Sequence, residues 1–258
     1  MYFSVIIAYY KNHQALRLIM KALQAQSVQN FEVIIAEDDI CSDFADQEFD
    51  KFTFKTKHVF QDIDQGFTKN ATLNKAIKVS EGEYIIFVDG DCVPHQHFIK
   101  AYSKWMSPHK ICFGRRVMIG PKLTEKLYRT QDLTLLNFVS ILFSDTTRLK
   151  YGLYLPFSVQ KRNSGIWGHN WCVAKSHLLA INGFDEDYIT AGVGEDVDIE
   201  WRLTSLGLTL YSIRFSALQY HLHHRENYDQ TAIQIGKNLL RIKIQQNAIV
   251  CKNGLVKL

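Results

Sequence analysis

The stretch Glu81-Gly82-Glu83-Tyr84-Ile85-Ile86-Phe87-Val88-Asp89-Gly90-Asp91-Cys92 decides the architecture of this chain. Its centre, Tyr84 to Val88, is apolar without alternation, which is how a strand covered on both faces reads. The strand stops in two carboxylates around a glycine. In an open α/β sheet the carboxyl ends of the strands are where ligands bind, so the acids stand at the functional edge. Two carboxylates can hold a hard divalent cation through oxygen and leave it positions for phosphate and water. Taken alone, Asp-Gly-Asp is also the chemistry of an ordinary solvated turn, and the decision rests on its neighbours.

Outward from this strand, short apolar runs alternate with helical periodicity. The pattern predicts strands near 3–8, 32–36, 57–60 and 111–117, with helices carrying Leu16, Ile19, Met20 and Leu23 and then Leu73, Ala76, Ile77 and Val79. Repeated strand-helix units imply an α/β fold with a mainly parallel sheet. The first half lacks both the Gly-x-Gly-x-x-Gly turn and the Gly-Lys-Ser/Thr loop, so phosphate charge has to be met in another way, and a metal is the natural substitute. After Gly120-Pro121 the pattern loosens as far as Lys161, with Tyr128, Tyr151, Tyr154 and Phe157 among polar residues, as an acceptor-side insertion would. A strand follows from Trp171 to Ala174, then a helix over 196–206 with Asp196 as its N-cap. The tail from Asp229 to about Val250 reads as an amphipathic basic helix, with Ile233, Ile235, Leu239, Leu240 and Ile244 against Lys237, Arg241 and Lys243. The expected division is 1–228 as one catalytic domain, with a nucleotide half (1–120) and an acceptor half (121–228), followed by a terminal helix (229–258).

With 258 residues, 47% of them hydrophobic and 22% charged, the chain can bury one large core. A net charge of +4, spread along the sequence, permits an anionic substrate or membrane surface without calling for nucleic acid, and no nucleic-acid motif is present. The five cysteines, Cys41, Cys92, Cys112, Cys172 and Cys251, form no Cys-x-x-Cys pair. That usage points to reduced thiols and a cytoplasmic setting. No leader-type segment opens the chain. The greasiest passage, Leu133 to Phe143, contains Asn137 and Ser140 and is too short to cross a bilayer, so it is expected to form a core or interfacial helix.

Four further groups carry chemistry. Glu195-Asp196 follows Gly192 and Gly194, where the backbone can approach a ligand; one carboxylate serves as a base or Asp196 simply caps its helix. In His221-Leu222-His223-His224, imidazoles 221 and 224 can reach one ion if the chain turns, with His223 pointing away. Asp38 ends an apolar strand where it can accept from the ring N–H of a pyrimidine, or it is one acid in an acidic loop. Lys69, Arg115 and Arg116 are the candidate diphosphate partners.

These blocks carry a resemblance. Phe3 to Asn12, Phe31 to Asp38, Gly66-Phe67 with Leu73-Asn74-Lys75-Ala76, and Glu81 to Cys92 together resemble family 2 inverting glycosyltransferases with the GT-A fold. Gly168-His169-Asn170, Asn182-Gly183-Phe184-Asp185-Glu186-Asp187, Gly194-Glu195-Asp196 and His221-Leu222-His223-His224 resemble the C-terminal region of β-1,4-galactosyltransferases and polypeptide N-acetylgalactosaminyltransferases. The resemblance implies a UDP-sugar donor, Mn2+ or Mg2+, and inversion at the anomeric carbon. Ala8, Tyr10, Asp38, Lys69, Asp89 and Asp91 would contact the nucleotide, with Asp38 on uracil and Asp89 on the ribose or in the ion's shell. Asp91, His221 and His224 would hold the metal, Asp196 would be the base, and Asn170 and Glu195 would hold a sugar. The chain departs from its relatives in having Ala191 and Val193 where they often carry a Trp, so no ring is offered to a sugar at that point.

The expected activity is transfer of a hexose or N-acetylhexosamine, Gal or GalNAc first, to a surface glycan such as lipopolysaccharide or capsule. The basic terminal helix would then rest on the inner membrane face, near lipid-linked glycan acceptors, or serve simply as a packing or dimer helix. The alternative from another class is a non-catalytic, metal-dependent sugar-binding protein on the same scaffold. A sugar-nucleotide pyrophosphorylase would want a Gly-rich phosphate loop near Ala8 to Asn12, which the sequence lacks.

Overall fold

Period-two alternation sorts the central strands into two cores. In the computed structural model, which describes residues 1–41, 52–63, 66–190, 195–225 and 230–258 with the side chain of Glu195 excepted, strands β1 (Phe3–Tyr9), β2 (Phe31–Ile40), β3 (Thr56–Gln61) and β4 (Tyr84–Asp89) run parallel. Val5, Ile7, Val33, Ile35, Ile86 and Val88 face one layer, filled by Leu16, Ile19 and Leu23 of α1 (His13–Gln24). Ile6, Ile34, Ile85 and Phe87 face the other, filled by Leu73, Ala76 and Ile77 of α2 (Lys69–Val79). Burial on both faces accounts for the near-continuous apolar reading of these strands. Val79 stands outside that stripe and is exposed.

The large sheet has the order β3-β2-β1-β4-β9-β6-β10-β8, where β6 is Lys110–Phe113, β8 Gln160–Arg162, β9 Asn170–Ala174 and β10 Thr209–Ser212. From β1 the chain passes to β2 on one side, while β4 lies on the other. The crevice therefore opens at the carboxyl ends of β1 and β4, where strand order reverses. Ala8 and Asp89 are register partners at that edge. Strand β9 enters antiparallel to β4 and pairs Asn170 with Val88, so the loop before it arrives at the same edge. A second sheet of three strands joins β5 (Cys92–Pro94), β11 (Leu218–His221) and β7 (Arg115–Met118) in the order β5-β11-β7.

The sequence pattern predicts one strand over 111–117, and the structure divides it at Gly114 between the two sheets. A Cβ on Gly114 would lie 2.2 Å from the Ala217 carbonyl oxygen and 2.3 Å from Asn170 Nδ2, so another chain segment crosses where a side chain would be. The passage Leu133 to Phe143 forms a 3-10 turn (Leu133–Leu136) and a short helix α5 (Phe138–Leu142) rather than a single helix. Asn137 ends the first by capping the second, its Oδ1 accepting from Ser140 N. Leu136 and Ile141 are buried, but Phe143 is 85% exposed.

Helix α7 (Glu195–Ser205) begins one residue earlier than predicted, which puts Asp196 inside the first turn instead of at the cap. Buried Arg202 ties this helix to the Asn182-Gly183 turn by pairing with Asp198 at 2.7 Å and donating to the carbonyls of Ile181 and Gly183. The terminal helix α8 (Gln230–Gln245) is packed through Ala232 and Gly236, while Ile235 and Ile244 of its predicted apolar face are exposed. Lys243 is turned inward to Asp185 and Asp187. Beyond the helix, Cys251 and Leu255 return to the core, held by Asn182, whose amide donates to the carbonyls of Cys251 and Val256. Cys92, Cys112, Cys172 and Cys251 are buried free thiols, and among the described residues no helix is long and apolar enough to cross a membrane.

Gly114→Ala tests the crossing point between the sheets. A methyl group forced against Ala217 and Asn170 is expected to cost about 1–3 kcal/mol, read as a lowered denaturation midpoint with unchanged m-value. An unchanged midpoint would mean that the seam yields at no cost.

Candidate active site

Asp89, at the end of β4, and Asp91, two residues on, flank a glycine that the turn requires. Gly90 N donates to Ala8 O at 2.7 Å, and a Cβ at this position would lie 2.7 Å from that same oxygen. The turn is thus pressed onto the end of β1, and both carboxylates reach the crevice. Immediately beyond it, β5 pairs with β11 so that Cys92 is opposite His221, and Leu222 N donates to Asp91 O at 2.9 Å. This pairing carries His221 and His224 to Asp91.

Their Nε2 atoms lie 3.3 and 2.9 Å from Asp91 Oδ2 and 3.2 Å from each other. Three ligand atoms about 3 Å apart occupy neighbouring corners of an octahedron with bonds of about 2.1 Å, so the set fits one divalent ion with corners to spare. Burial pushes the Asp91 carboxyl up, but contact with His221 and His224 and the thiol of Cys92, 3.1 Å from Oδ1, outweighs it and holds the group well below the usual carboxylate range. Asp89, Asp91 and Cys92 form a second, overlapping set of potential ligands. His223 is exposed and outside both groups, its backbone N–H donating to Thr124 Oγ1.

Two cations border the acids. Lys69 Nζ is 3.3 Å from Asp89 Oδ1, and Arg116 Nη1 is 3.7 Å from Asp89 Oδ2 and 3.7 Å from Cys92 Sγ. Arg116 Nε is buried without a protein partner, as are His169 Nε2, Gln219 Nε2 and His221 Nδ1. Burial and the Arg116 charge hold His169 well below the ordinary histidine range, so it is a neutral ring beneath the site. Arg115, the third expected diphosphate partner, is committed elsewhere. Its Nη1 donates to the carbonyls of Gly114 and Gly165, and its guanidinium lies against the rings of Phe113 and Trp167.

A cavity of about 540 Å3 opens over this edge, lined by Ala8, Tyr10, Asp38, Lys69, Asp89, Asp91 and His224 among others. Asp38 lines the same cavity from β2, which β1 separates from β4 in the sheet. Its Oδ1 accepts from Gln61 Nε2 at 2.8 Å and from Thr68 N and Oγ1 at 3.0 Å each, while Oδ2 receives only a longer share of the Thr68 N–H at 3.2 Å. Oδ1 therefore fixes the start of α2, and Oδ2 is the atom available to a ligand donor. A second, much smaller pocket shares Ala8, Lys69 and Leu73 with this cavity and is lined also by Gly168 and Asp196. Asp196 is held there by the Gly168 N–H, which donates to Oδ2 at 2.8 Å.

The structure therefore brings Ala8, Tyr10, Asp38, Lys69, Asp89, Asp91, His221, His224 and Asp196 to one edge. Asn170 does not belong with them. It is 1% exposed, accepts from Tyr102 Oη at 2.6 Å and donates to the carbonyls of Arg115 and Ala217, so its amide serves the seam between the sheets rather than a sugar. The side chain of Glu195 and residues 191–194 lie outside the described residues. Sequence reasoning assigned no role in the site to Glu200. Its Oε2 accepts from the N–H groups of Gly165 and Ile166 at 2.7 and 2.5 Å, and its spacing of four from Asp196 was the available signal.

Comparison with known proteins agrees with this fold. The profile of Glycosyl transferase family 2 matches residues 4–178. EpsH of Bacillus subtilis (strain 168), named as a glycosyltransferase, is 33% identical over 91 residues, which is 34% of this chain and 25% of that protein. Among solved structures, S. aureus TarS 1-349 in complex with UDP-GlcNAc superposes with a TM-score of 0.62 at 17% identity, covering 95% of this chain and 66% of that one. GalNAc-T7 with UDP, GalNAc and Mn2+ gives 0.60 at 10% identity, covering 89% and 45%. The mannosyltransferase PcManGT from Pyrobaculum calidifontis, in complex with GDP-Man and Mn2+, gives 0.57 at 15%, covering 96% and 64%. This chain spans only a quarter of EpsH and under two thirds of most of these structures. The mostly parallel sheet with its acidic turn at the switch point is the GT-A fold, and the chain belongs to glycosyl transferase family 2.

Proposed function

We propose that this chain transfers a hexose or N-acetylhexosamine from a UDP-sugar to a hydroxyl of a glycan acceptor, with inversion at the anomeric carbon. The observation that carries the reading is the placement of two unlike acidic sites in neighbouring pockets at one sheet edge. Asp91 stands with two imidazoles in the larger pocket, and Asp196 lines a smaller one that shares Ala8, Lys69 and Leu73 with it. A diphosphate leaving group needs positive charge on one side of the sugar and a proton acceptor on the other.

In this scheme Asp38 Oδ2 accepts from the uracil N3–H, and Asp89 takes the ribose or supports the ion's shell. Lys69 and Arg116 bring charge to the diphosphate, their own positions set by Asp89. Asp91, His221 and His224 would hold Mn2+ or Mg2+, which supplies Lewis-acid stabilisation of the departing UDP. The acceptor oxygen forms a bond to C1, the bond from C1 to the β-phosphate oxygen breaks, its electron pair leaves with UDP, and the hydroxyl proton passes to Asp196. The bound UDP-GlcNAc, UDP with GalNAc, and GDP-Man of the structural relatives support a nucleotide-sugar donor. Gal and GalNAc are the first donors to test, and a surface glycan such as lipopolysaccharide or capsule is the acceptor class. Ile235 and Ile242, exposed on α8 beside Lys237 and Arg241, suit a lipid-linked acceptor presented at a membrane face.

Asp196→Asn should lower transfer by a factor of about 10²–10⁴ while UDP affinity, measured by calorimetry with Mn2+, changes less than about twofold. Full turnover in that variant would remove Asp196 as base. His221→Ala should weaken Mn2+ binding by about tenfold or more, followed by the electron paramagnetic resonance of the free ion, and UDP affinity should fall with it. Mn2+ affinity equal to that of the parent protein would exclude His221 from the ligand set. Release of UDP from a panel of UDP-sugars distinguishes the enzyme from a sugar-binding protein on the same scaffold.

A further inference from the structure

The loop before β9 is held more firmly than a surface loop requires. Gly165 and Ile166 both donate to Glu200 Oε2, and Gly168 donates to Asp196 Oδ2. Glu200 and Asp196 are one helical turn apart, so a single face of α7 grips the loop at both ends. From the other side Arg115 Nη1 donates to Gly165 O at 2.8 Å. Between these fixed points stands Trp167, whose indole is 42% exposed although the protein has cores on both sides of its sheet to receive it.

The indole is also oriented. The Arg115 guanidinium lies 4.3 Å from its centroid and is itself backed by Phe113 at 4.7 Å, while His169 meets it at 69° with centroids 5.8 Å apart. Burial lowers the pKa of Arg115 from its ordinary value without neutralising it, so a cation stays under the ring. An aromatic plate braced by its surroundings and left half in water pays little ordering entropy when something apolar settles on it. The axial C–H face of a pyranose is such a partner, being apolar, flat and faintly positive against the negative face of the ring. The residue after Trp167 holds Asp196 in place, so one short segment carries both the plate and the backbone contact to that carboxylate.

We infer that Trp167 is the stacking platform for the acceptor sugar. The inference rests on the reading of Asp196 as the base and adds the acceptor's recognition to it: a pyranose with an unobstructed C–H face. It also supplies an aromatic ring from a different segment than the loop that lacks one at Ala191 and Val193.

The test uses the full chain with Mn2+ and UDP, titrated with the methyl α- and β-glycosides of galactose, glucose, N-acetylgalactosamine and N-acetylglucosamine. At least one glycoside should change the tryptophan emission saturably, the change should vanish in Trp167→Phe, and saturation-transfer NMR should show that phenylalanine retains binding. Trp167→Ala should weaken that glycoside about tenfold while calorimetric UDP affinity stays within about twofold. Binding of UDP with no saturable response to any glycoside would overturn the role of Trp167 and leave the donor reading standing. An equal loss of UDP affinity in Trp167→Ala would likewise overturn it, because the ring would then serve the donor or merely brace the loop. Failure of the parent protein to bind UDP would remove the donor reading itself, and this inference with it.

Discussion

The short antiparallel ladder between Cys92–Pro94 and Leu218–His221 is the interaction on which the site depends. It joins segments separated by about half the chain, and it begins at the residue after Asp91. Its strength comes from what it buries. Cys92, Val93 and Leu218 are fully covered and Tyr220 nearly so, and burial of such side chains contributes about 1.5–3 kcal/mol for each large one. A histidine is thereby fixed beside a carboxylate by backbone pairing and packing, without needing the attraction between the two groups to hold them together.

The second constraint is the direction of β9. Because it runs antiparallel to β4, its amino end lies at the carboxyl end of β4, and the loop leading into it is delivered to the ligand edge. The stack of Phe87 on Trp171, with centroids 4.3 Å apart, fixes this registry in the core. Helix α7 then answers from outside the sheet. Asp196 and Glu200 bind the loop's backbone, and Arg202 on the same helix is locked to the Asn182-Gly183 turn. One helix therefore positions a carboxylate, a loop and, through that loop, an aromatic ring.

Charge at the edge is balanced locally. Asp89 is met by Lys69 and Arg116, and Asp91 by two imidazoles and a thiol. The buried polar atoms of Arg116, His169, Gln219 and His221 that lack protein partners gather behind these acids, so the side chains there are arranged for more than the stability of the fold.

The sequence by itself determined β1 to β4 with α1 and α2, because burial on both faces leaves continuous apolar runs and a carboxylate at the ends of β2 and β4 is conspicuous. It also marked Asp38, Asp91, Asp196, His221 and His224, whose residue types are costly to keep without a partner or a task. It could not determine the break at Gly114, which arises from Ala217 and Asn170 passing through the space of an absent side chain, nor the commitment of Asn170 and Arg115 to the seam, since either residue in a list looks like a ligand donor. The exposed Ile235 and the inward Lys243 of α8 show the same limit, for a helical stripe states which residues share a face and not which face meets the protein. Only tertiary structure decided that Trp167 stands half in water next to the residue that holds Asp196, because exposure belongs to the packing of distant segments and has no local signature in the chain.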